Sequence, residues 1–220
     1  MSLLICTPIH GGGVTKFWLS LNQTQIDMNS CGFPNDLLAM ENESLITRAR
    51  DNCVTSYLET DFDRMIFIDA DIEFNGEDIV KLWNLDVDVA VGAYPMKQID
   101  VPTCGWVDGE LIDLDKMEGP TPVDFAGTGF MMIKREVFHK FHEAFPERFH
   151  KEGKPGEQVH SFRKSFCYFY SRLSDGEEWA DRIRWPEDYA FCHDFRNIGG
   201  EIILEPSIRL KHYGTYGFGQ

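Results

Sequence analysis

Short apolar runs alternate with helical stretches through the first hundred residues. Leu3–Thr7 is an apolar run closed by Pro8 and Gly11-Gly12-Gly13, the pattern of a buried strand entering a loop. Val14–Met28 reads as a helix. Over 42–59, Leu45, Ile46, Ala49, Val54, Tyr57 and Leu58 recur at roughly helical spacing, with Arg48, Arg50 and Asp51 largely on another face. Met65–Ile68 is a short apolar strand that stops at Asp69-Ala70-Asp71. Gly76–Asn84 predicts a helix and Val87–Ala93 another strand.

Strand–helix alternation of this kind predicts βαβ units, and so an α/β fold with a mostly parallel, Rossmann-like central sheet and helices on both faces. Ligands of such sheets bind beyond the carboxyl ends of the strands. Thr7-Pro8-Ile9, Asp69–Asp71 and Tyr94–Lys97 lie just past three such ends and are expected to share one crevice.

The alternation breaks after residue 100. Pro102–Asp115 suggests a hairpin, Phe130–Ile133 a strand and Arg135–Ala144 a helix, whereas Glu147–Asp175 follows no clear pattern. Glu187–Asn197 predicts a last helix, leading through Gly199-Gly200 to short strands at Glu201–Leu204 and Ser207–His212. The expected organisation is one domain over 1–220, with 1–100 as the nucleotide-binding half and 101–220 as a smaller, mixed acceptor-side half.

Composition narrows the chemistry. The formal charge of −15 over 220 residues lacks the basic footprint that nucleic-acid binding needs. It also repels anionic small molecules at long range, so a diphosphate ligand calls for local neutralisation by a divalent metal on acidic residues. No apolar run approaches a membrane span; Val87–Tyr94 is already interrupted by Asp88. The first residues lack a signal-peptide pattern, and a cytoplasmic protein is expected. None of the six cysteines forms a Cys-x-x-Cys pair, so they read mostly as apolar fillers.

Asp69-Ala70-Asp71 is the most informative segment. Two unpaired carboxylates are too costly to bury, which places them at the exposed end of their strand. Residues at i and i+2 of a strand have Cα atoms roughly 6.5–7 Å apart, too far to chelate one ion equally. Asp71 is therefore assigned to the metal, and Asp69 to a ribose hydroxyl or a metal-bound water. Oxygen ligands suit Mn²⁺ or Mg²⁺.

Met65–Phe74 resembles the DxD segment of GT-A-fold glycosyltransferases, and other stretches fit the same family in order. Thr47–Asn52 is similar to its Arg-rich helix, Val91–Lys97 to the strand after the DxD, and Phe125–Phe130 to the glycine-containing segment beside the donor sugar. Trp185-Pro186-Glu187-Asp188 resembles the acidic pair that supplies the base in inverting members. His212 matches a C-terminal histidine that completes the metal site. Residues 145–175 match nothing in the pattern.

The resemblance implies a metal-dependent, inverting transfer from a UDP- or GDP-sugar to a glycan or other hydroxyl acceptor. Asp71, Asp69 and His212 form the implied metal set, with Mn²⁺ favoured by the imidazole. Asp188 is the implied base, and Glu187 orients or replaces it. Thr7, Pro8, Ile9, Asp69, Ala70, Gly127, Thr128 and Gly129 are implied around the donor. Arg48 and Lys97 suit its diphosphate or base as fixed positive charges.

Plainer readings stand beside these. Gly127 and Gly129 also suit a tight loop, and Glu187-Asp188 after Pro186 also suits a helix start. His139, His142 and His150 read as surface residues, and Phe166–Tyr170 with Trp179 and Trp185 as core more than as a sugar platform. A haloacid-dehalogenase-like phosphatase shares the strand-then-Asp-x-Asp pattern. It wants Thr or Val where Glu73 stands, and its motif opens the fold. A non-catalytic sugar- or nucleotide-binding module explains the crevice but not the second acidic pair. A nucleotidyltransferase needs a loop that Gly11–Lys16 half supplies.

Overall fold

The computed structural model describes residues 1–97, 105–107, 109–151, 164–175 and 181–214. Its first part alternates as expected: β1 (Leu3–Ile9), α1 (Thr15–Ser30), β2 (Asn35–Glu41), α2 (Ile46–Leu58), β3 (Arg64–Ile68), β4 (Ile72–Glu73), α3 (Gly76–Leu85) and β5 (Val89–Val91). The second part holds β6 (Gly105–Val107), β7 (Glu110–Leu111), β8 (Thr121–Val123), β9 (Phe125–Ala126), β10 (Phe130–Lys134) and α4 (Arg135–Ala144). It continues through β11 (Phe149–Lys151), β12 (Lys164–Phe166), β13 (Arg172–Leu173), β14 (Arg184–Trp185), α5 (Glu187–Asn197), β15 (Ile202–Leu204) and β16 (Lys211–His212).

The central sheet has seven strands in the order β2-β1-β3-β10-β5-β15-β8. β1 pairs parallel with β2 and β3, and β5 pairs parallel with β15. β10 runs antiparallel between β3 and β5, and β8 antiparallel at the edge. Alternate residues of each strand feed two cores, because side chains switch faces with period two. Leu4, Cys6, Met65, Phe67, Val89, Val91, Met131 and Ile133 face one core, which α2, α4 and α5 close with Cys53, Val54, Tyr57, Phe138, Phe141, Phe191 and Phe195. Leu3, Ile5, Ile66, Ile68, Ala90, Phe130 and Met132 face the other, closed by Phe17 and Leu21 of α1 and Ile79 and Leu82 of α3. Burial on both faces explains why the central strands read as unbroken apolar runs.

Several expectations need correction. β2 has no counterpart in the sequence reading, because an edge strand with half-buried and exposed positions breaks the apolar run. The expected 42–59 helix begins only at Ile46, and Leu45 and Ile46 are exposed while Arg50 and Asp51 are buried. The buried residues of α2 are Ala49, Arg50, Asp51, Cys53, Val54, Thr55 and Tyr57, so these two charges lie among them rather than opposite. β10 is a central strand of opposite direction, which four apolar residues could not announce. Of Ser207–His212 only Lys211–His212 pairs, antiparallel with β4. β6 and β7 pair antiparallel as the expected hairpin, with 102–104 and 108 outside the described residues.

Within 145–175, the described residues pack onto the core through two buried carboxylates. Asp51 accepts the backbone N–H groups of Tyr168 and Phe169 at 2.9 and 3.0 Å. Asp194 takes Arg148 at 2.8 Å and the Tyr170 hydroxyl at 2.8 Å. Phe166, Tyr168 and Phe169 are core, as expected, while Trp179 lies outside the described residues. His142 is not a surface residue: it is half-buried, bonded to the Tyr168 hydroxyl, and burial pushes its imidazole below the usual range. His139 and His150 are exposed. Among the described residues no helix is long and apolar enough to cross a membrane.

Candidate active site at the ends of β3, β5 and α5

β3 ends at Ile68 and the chain turns sharply, the Asp69 carbonyl accepting the Ile72 N–H at 3.0 Å. That turn projects Asp69 and Asp71 from the sheet end, 25% and 30% exposed. The Asp69 N–H donates to the Gly129 carbonyl at 3.0 Å, which ties the turn to the segment preceding β10. The Ala70 carbonyl accepts the Val14 N–H at 2.8 Å, drawing in the loop after β1.

The glycines around the turn have a steric reason. A Cβ on Gly127 would lie 2.1 Å from the Tyr94 hydroxyl, and one on Gly129 would lie 2.8 Å from it and 2.9 Å from Asp69 Oδ2. Tyr94 in turn accepts the Gly129 N–H at 3.0 Å. Thr128, between them, is buried with an unpartnered hydroxyl, as is Thr7, which with Pro8 and Ile9 lies inside β1, paired with β2, rather than past the strand end as expected. Pro8, Ile9, Ala70, Asp69, Asp71 and Glu43 border a cleft of about 340 Å³ at the same sheet end. A larger depression of about 930 Å³ between α1 and α3 contains none of these groups. Charge and hydrogen bonding, rather than volume, mark the candidate site.

β16 delivers His212 to this place, since its pairing with β4 sets His212 opposite Ile72. The Tyr213 N–H donates to the Asp71 carbonyl at 2.8 Å and holds the register. His212 Nδ1 meets the Pro95 carbonyl at 2.8 Å, and Nε2 faces Asp71 Oδ1 at 3.3 Å. A carbonyl only accepts, so Nδ1 donates to Pro95, and Nε2 donates to Asp71 Oδ1 when the ring is protonated and presents a lone pair to it when the ring is neutral. In the neutral ring the two acceptors facing each other fit a shared cation. Among the described residues no group of three or more His, Cys, Asp or Glu gathers, so a divalent ion here would take Asp71 and His212 from the protein and its other ligands from substrate and water.

Lys97 lies on the other side of Asp71, its ammonium bonded to Oδ2. Burial pushes the Asp71 carboxyl up, but His212 and Lys97 outweigh it and hold the group below the usual carboxylate range. Asp69 stands differently from Asp71. Its carboxylate accepts from Arg50 Nη2 at 3.0 and 3.3 Å and is occupied by that contact.

Glu187 and Asp188 open α5, where carboxylates favour the helix dipole. Glu187 Oε1 stands 3.6 Å from Arg50 Nε. Burial, reinforced by the Glu187 charge, pushes the Asp188 carboxyl up to about 7. Beside it the half-buried Phe125 stacks on Tyr189 at 5.0 Å, with Trp185 against Phe125 at 5.5 Å.

The Arg48 side chain pairs with Glu43, Nε to Oε2 at 2.5 Å and Nη2 to Oε1 at 2.7 Å, at the rim of the cleft. The arginine inside the site is Arg50, which the sequence reading left outside it. Its signal is helical spacing: positions 50, 53, 54 and 57 share one face, and the other three are apolar and buried.

The strand order and helix placement define a GT-A-like fold. Comparison with solved structures agrees. The chain matches A197 from STIV (17% identity, TM-score 0.56, 97% of this chain and 86% of that one). It also matches GalNAc-T7 with UDP, GalNAc and Mn²⁺ (12% identity, TM-score 0.55, all of this chain and 44% of that one). A third match is the catalytic domain of Drosophila beta1,4galactosyltransferase 7 with xylobiose (11% identity, TM-score 0.53, 97% and 71%). At these identities the likeness is one of fold. No protein-family model and no curated protein matches the sequence.

Proposed function

We propose that the chain is a metal-dependent glycosyltransferase that moves a sugar from a nucleoside-diphosphate sugar to a glycan hydroxyl with inversion. One observation carries the reading: two carboxyls, one in the turn after β3 and one at the start of α5, have opposite environments. Asp71 is held below the usual range, suited to a permanently ionised ligand. Asp188 is pushed up to about 7, suited to taking a proton at neutral pH. Pairs of titratable groups driven apart in this way mark acid–base roles. The UDP, GalNAc and Mn²⁺ of GalNAc-T7 and the xylobiose of the fly enzyme support the substrate classes.

In this reading Asp71 and His212 would hold Mn²⁺ or Mg²⁺, which would supply charge neutralisation for the diphosphate. Asp69 and the β1 end border the nucleoside, and Gly127–Gly129 border the donor sugar. Lys97 moves from Asp71 to a phosphate oxygen. The acceptor hydroxyl attacks the anomeric carbon, the bond to the phosphate oxygen breaks with its electron pair, and the hydroxyl proton passes to Asp188. Glu187 keeps its place beside Arg50. A phosphatase reading, with an aspartate of the turn as nucleophile, fits less well because Arg50 occupies Asp69 and the Lys97 ammonium neutralises Asp71.

Calorimetric titration of UDP and GDP with Mn²⁺ tests the proposal. Asp71→Ala should abolish metal-dependent binding and leave the far-UV spectrum unchanged. Equal affinity in the variant overturns the metal assignment, and absence of any nucleotide binding by the wild-type chain overturns the donor assignment. Binding without transfer to any glycan would leave a binding module.

A further inference from the structure

Arg50 is 3% exposed, yet it stands between two carboxylates from two other parts of the chain. Its Nη2 bonds Asp69 at 3.0 Å, its Nε faces Glu187 at 3.6 Å, and its guanidinium lies 5.2 Å from the centre of the Phe67 ring. Nε and Nη1 have no hydrogen-bond partner, so the side chain has capacity left for Glu187 to close upon. Among the described residues it is the one cation ion-paired with both the turn after β3 and the start of α5. A buried guanidinium is stable only while its counter-charges stay in place, and the converse holds for the carboxylates.

We propose that Arg50 is a positioning residue: its buried guanidinium ties the Asp69 carboxylate of the turn and the Glu187 carboxylate of α5 into one ion-paired unit, which fixes Asp188 relative to the donor side. The inference rests on the reading of Asp188 as the proton acceptor, and it adds the group that sets where and how that acceptor works. Asp188 has no ion pair of its own among the described residues; its Oδ1 takes the Tyr189 N–H at 2.8 Å. The charges acting on it come from Glu187 on its own helix, Arg50 on α2 and Asp69 after β3. Cys192, one turn along α5, is a buried thiol pushed up to about 12 and stays neutral. Burial, Glu187 and Asp69 raise the Asp188 carboxyl, and Arg50 alone of the charged side chains named here lowers it. A guanidinium that positions the pair must therefore also hold the Asp188 carboxyl from rising further.

The test is the ¹³C carboxyl titration of Asp188 in the metal-free, substrate-free full chain, with the signal assigned through Asp188→Asn. Arg50→Met should move the midpoint up by about one pH unit, a tenfold change in proton affinity. Arg50→Lys should bring it back toward wild type, and Glu187→Gln should move it down. A merely structural arginine would lower the melting temperature without moving this midpoint. An unmoved midpoint in folded Arg50→Met overturns the proposal. If Arg50→Met does not fold, the other two variants decide: an unmoved midpoint in Glu187→Gln, or an Arg50→Lys midpoint displaced as far as one unit, overturns it. Should the titrations behave as expected while Asp188→Asn transfers sugar at the wild-type rate, the proton-acceptor reading falls and the Arg50 unit stands.

Discussion

His212 Nε2 faces Asp71 Oδ1 at 3.3 Å while its Nδ1 is anchored on the Pro95 carbonyl at 2.8 Å. That anchoring fixes the tautomer of the neutral ring, whose Nε2 lone pair would then face the carboxylate, the arrangement by which outer partners orient a metal-binding histidine.

His212→Ala should lower Mn²⁺ affinity about 10-fold or more, the scale on which such orienting contacts act. Because a protonated imidazole cannot ligate, metal binding by the wild type should also weaken on acidification, and less steeply in the variant. Competition with a Mn²⁺-sensitive dye across a pH series measures both. Identical affinities would return His212 to a structural role.

Asp188→Asn should reduce transfer roughly 10²–10⁴-fold with little change in nucleotide affinity, since proton removal belongs to the reaction and not to donor binding. The base must be ionised to work, so wild-type kcat/KM should rise with pH and level off above about 7. Glu187→Gln is the paired control. If that variant is the inactive one and Asp188→Asn is not, the base is Glu187.

The same carboxyl has a stability signature of definite sign. Between the usual carboxylate range and about 7, the native state holds a proton that the unfolded chain has released. The contribution is therefore fullest at acidic pH and declines as pH rises through that window. Asp188→Asn does not titrate, so its melting temperature should gain on wild type between pH 5 and pH 8, about 2–4 °C for each kcal/mol recovered. A constant difference across the two pH values would show that Asp188 is not raised.

Gly127→Ala should destabilise by about 1–3 kcal/mol, because its Cβ would fall 2.1 Å from the Tyr94 hydroxyl. In a Tyr94→Phe background the added penalty should shrink, the closest atom having been removed. Denaturant titration of the double-mutant cycle reads this coupling. Strict additivity would mean that the loop relaxes elsewhere and that Tyr94 does not dictate the glycine.

Local signals settled much of this protein in advance. The apolar run Met65–Ile68 ending at Asp69 and Asp71 located a strand end, because buried strands cannot carry unpaired carboxylates and the side-chain period of two admits no other placement. Pro186 followed by Glu187-Asp188 located the start of α5 for a similarly local reason. What depended on packing stayed hidden. β10 enters the sheet centre against the direction of its neighbours, and no residue within Phe130–Lys134 encodes whom it pairs with. Arg48 and Arg50 are two residues apart on one helix, but Arg48 is exposed on Glu43 and Arg50 buried between Asp69 and Glu187. The sequence by itself determined where charges leave the sheet. Only the tertiary structure decided which of them meet, because the cation that joins Asp69 to Glu187 is paired across gaps of 19 and 137 residues, and such pairing is set by how α2 and α5 pack on the sheet rather than by any local pattern.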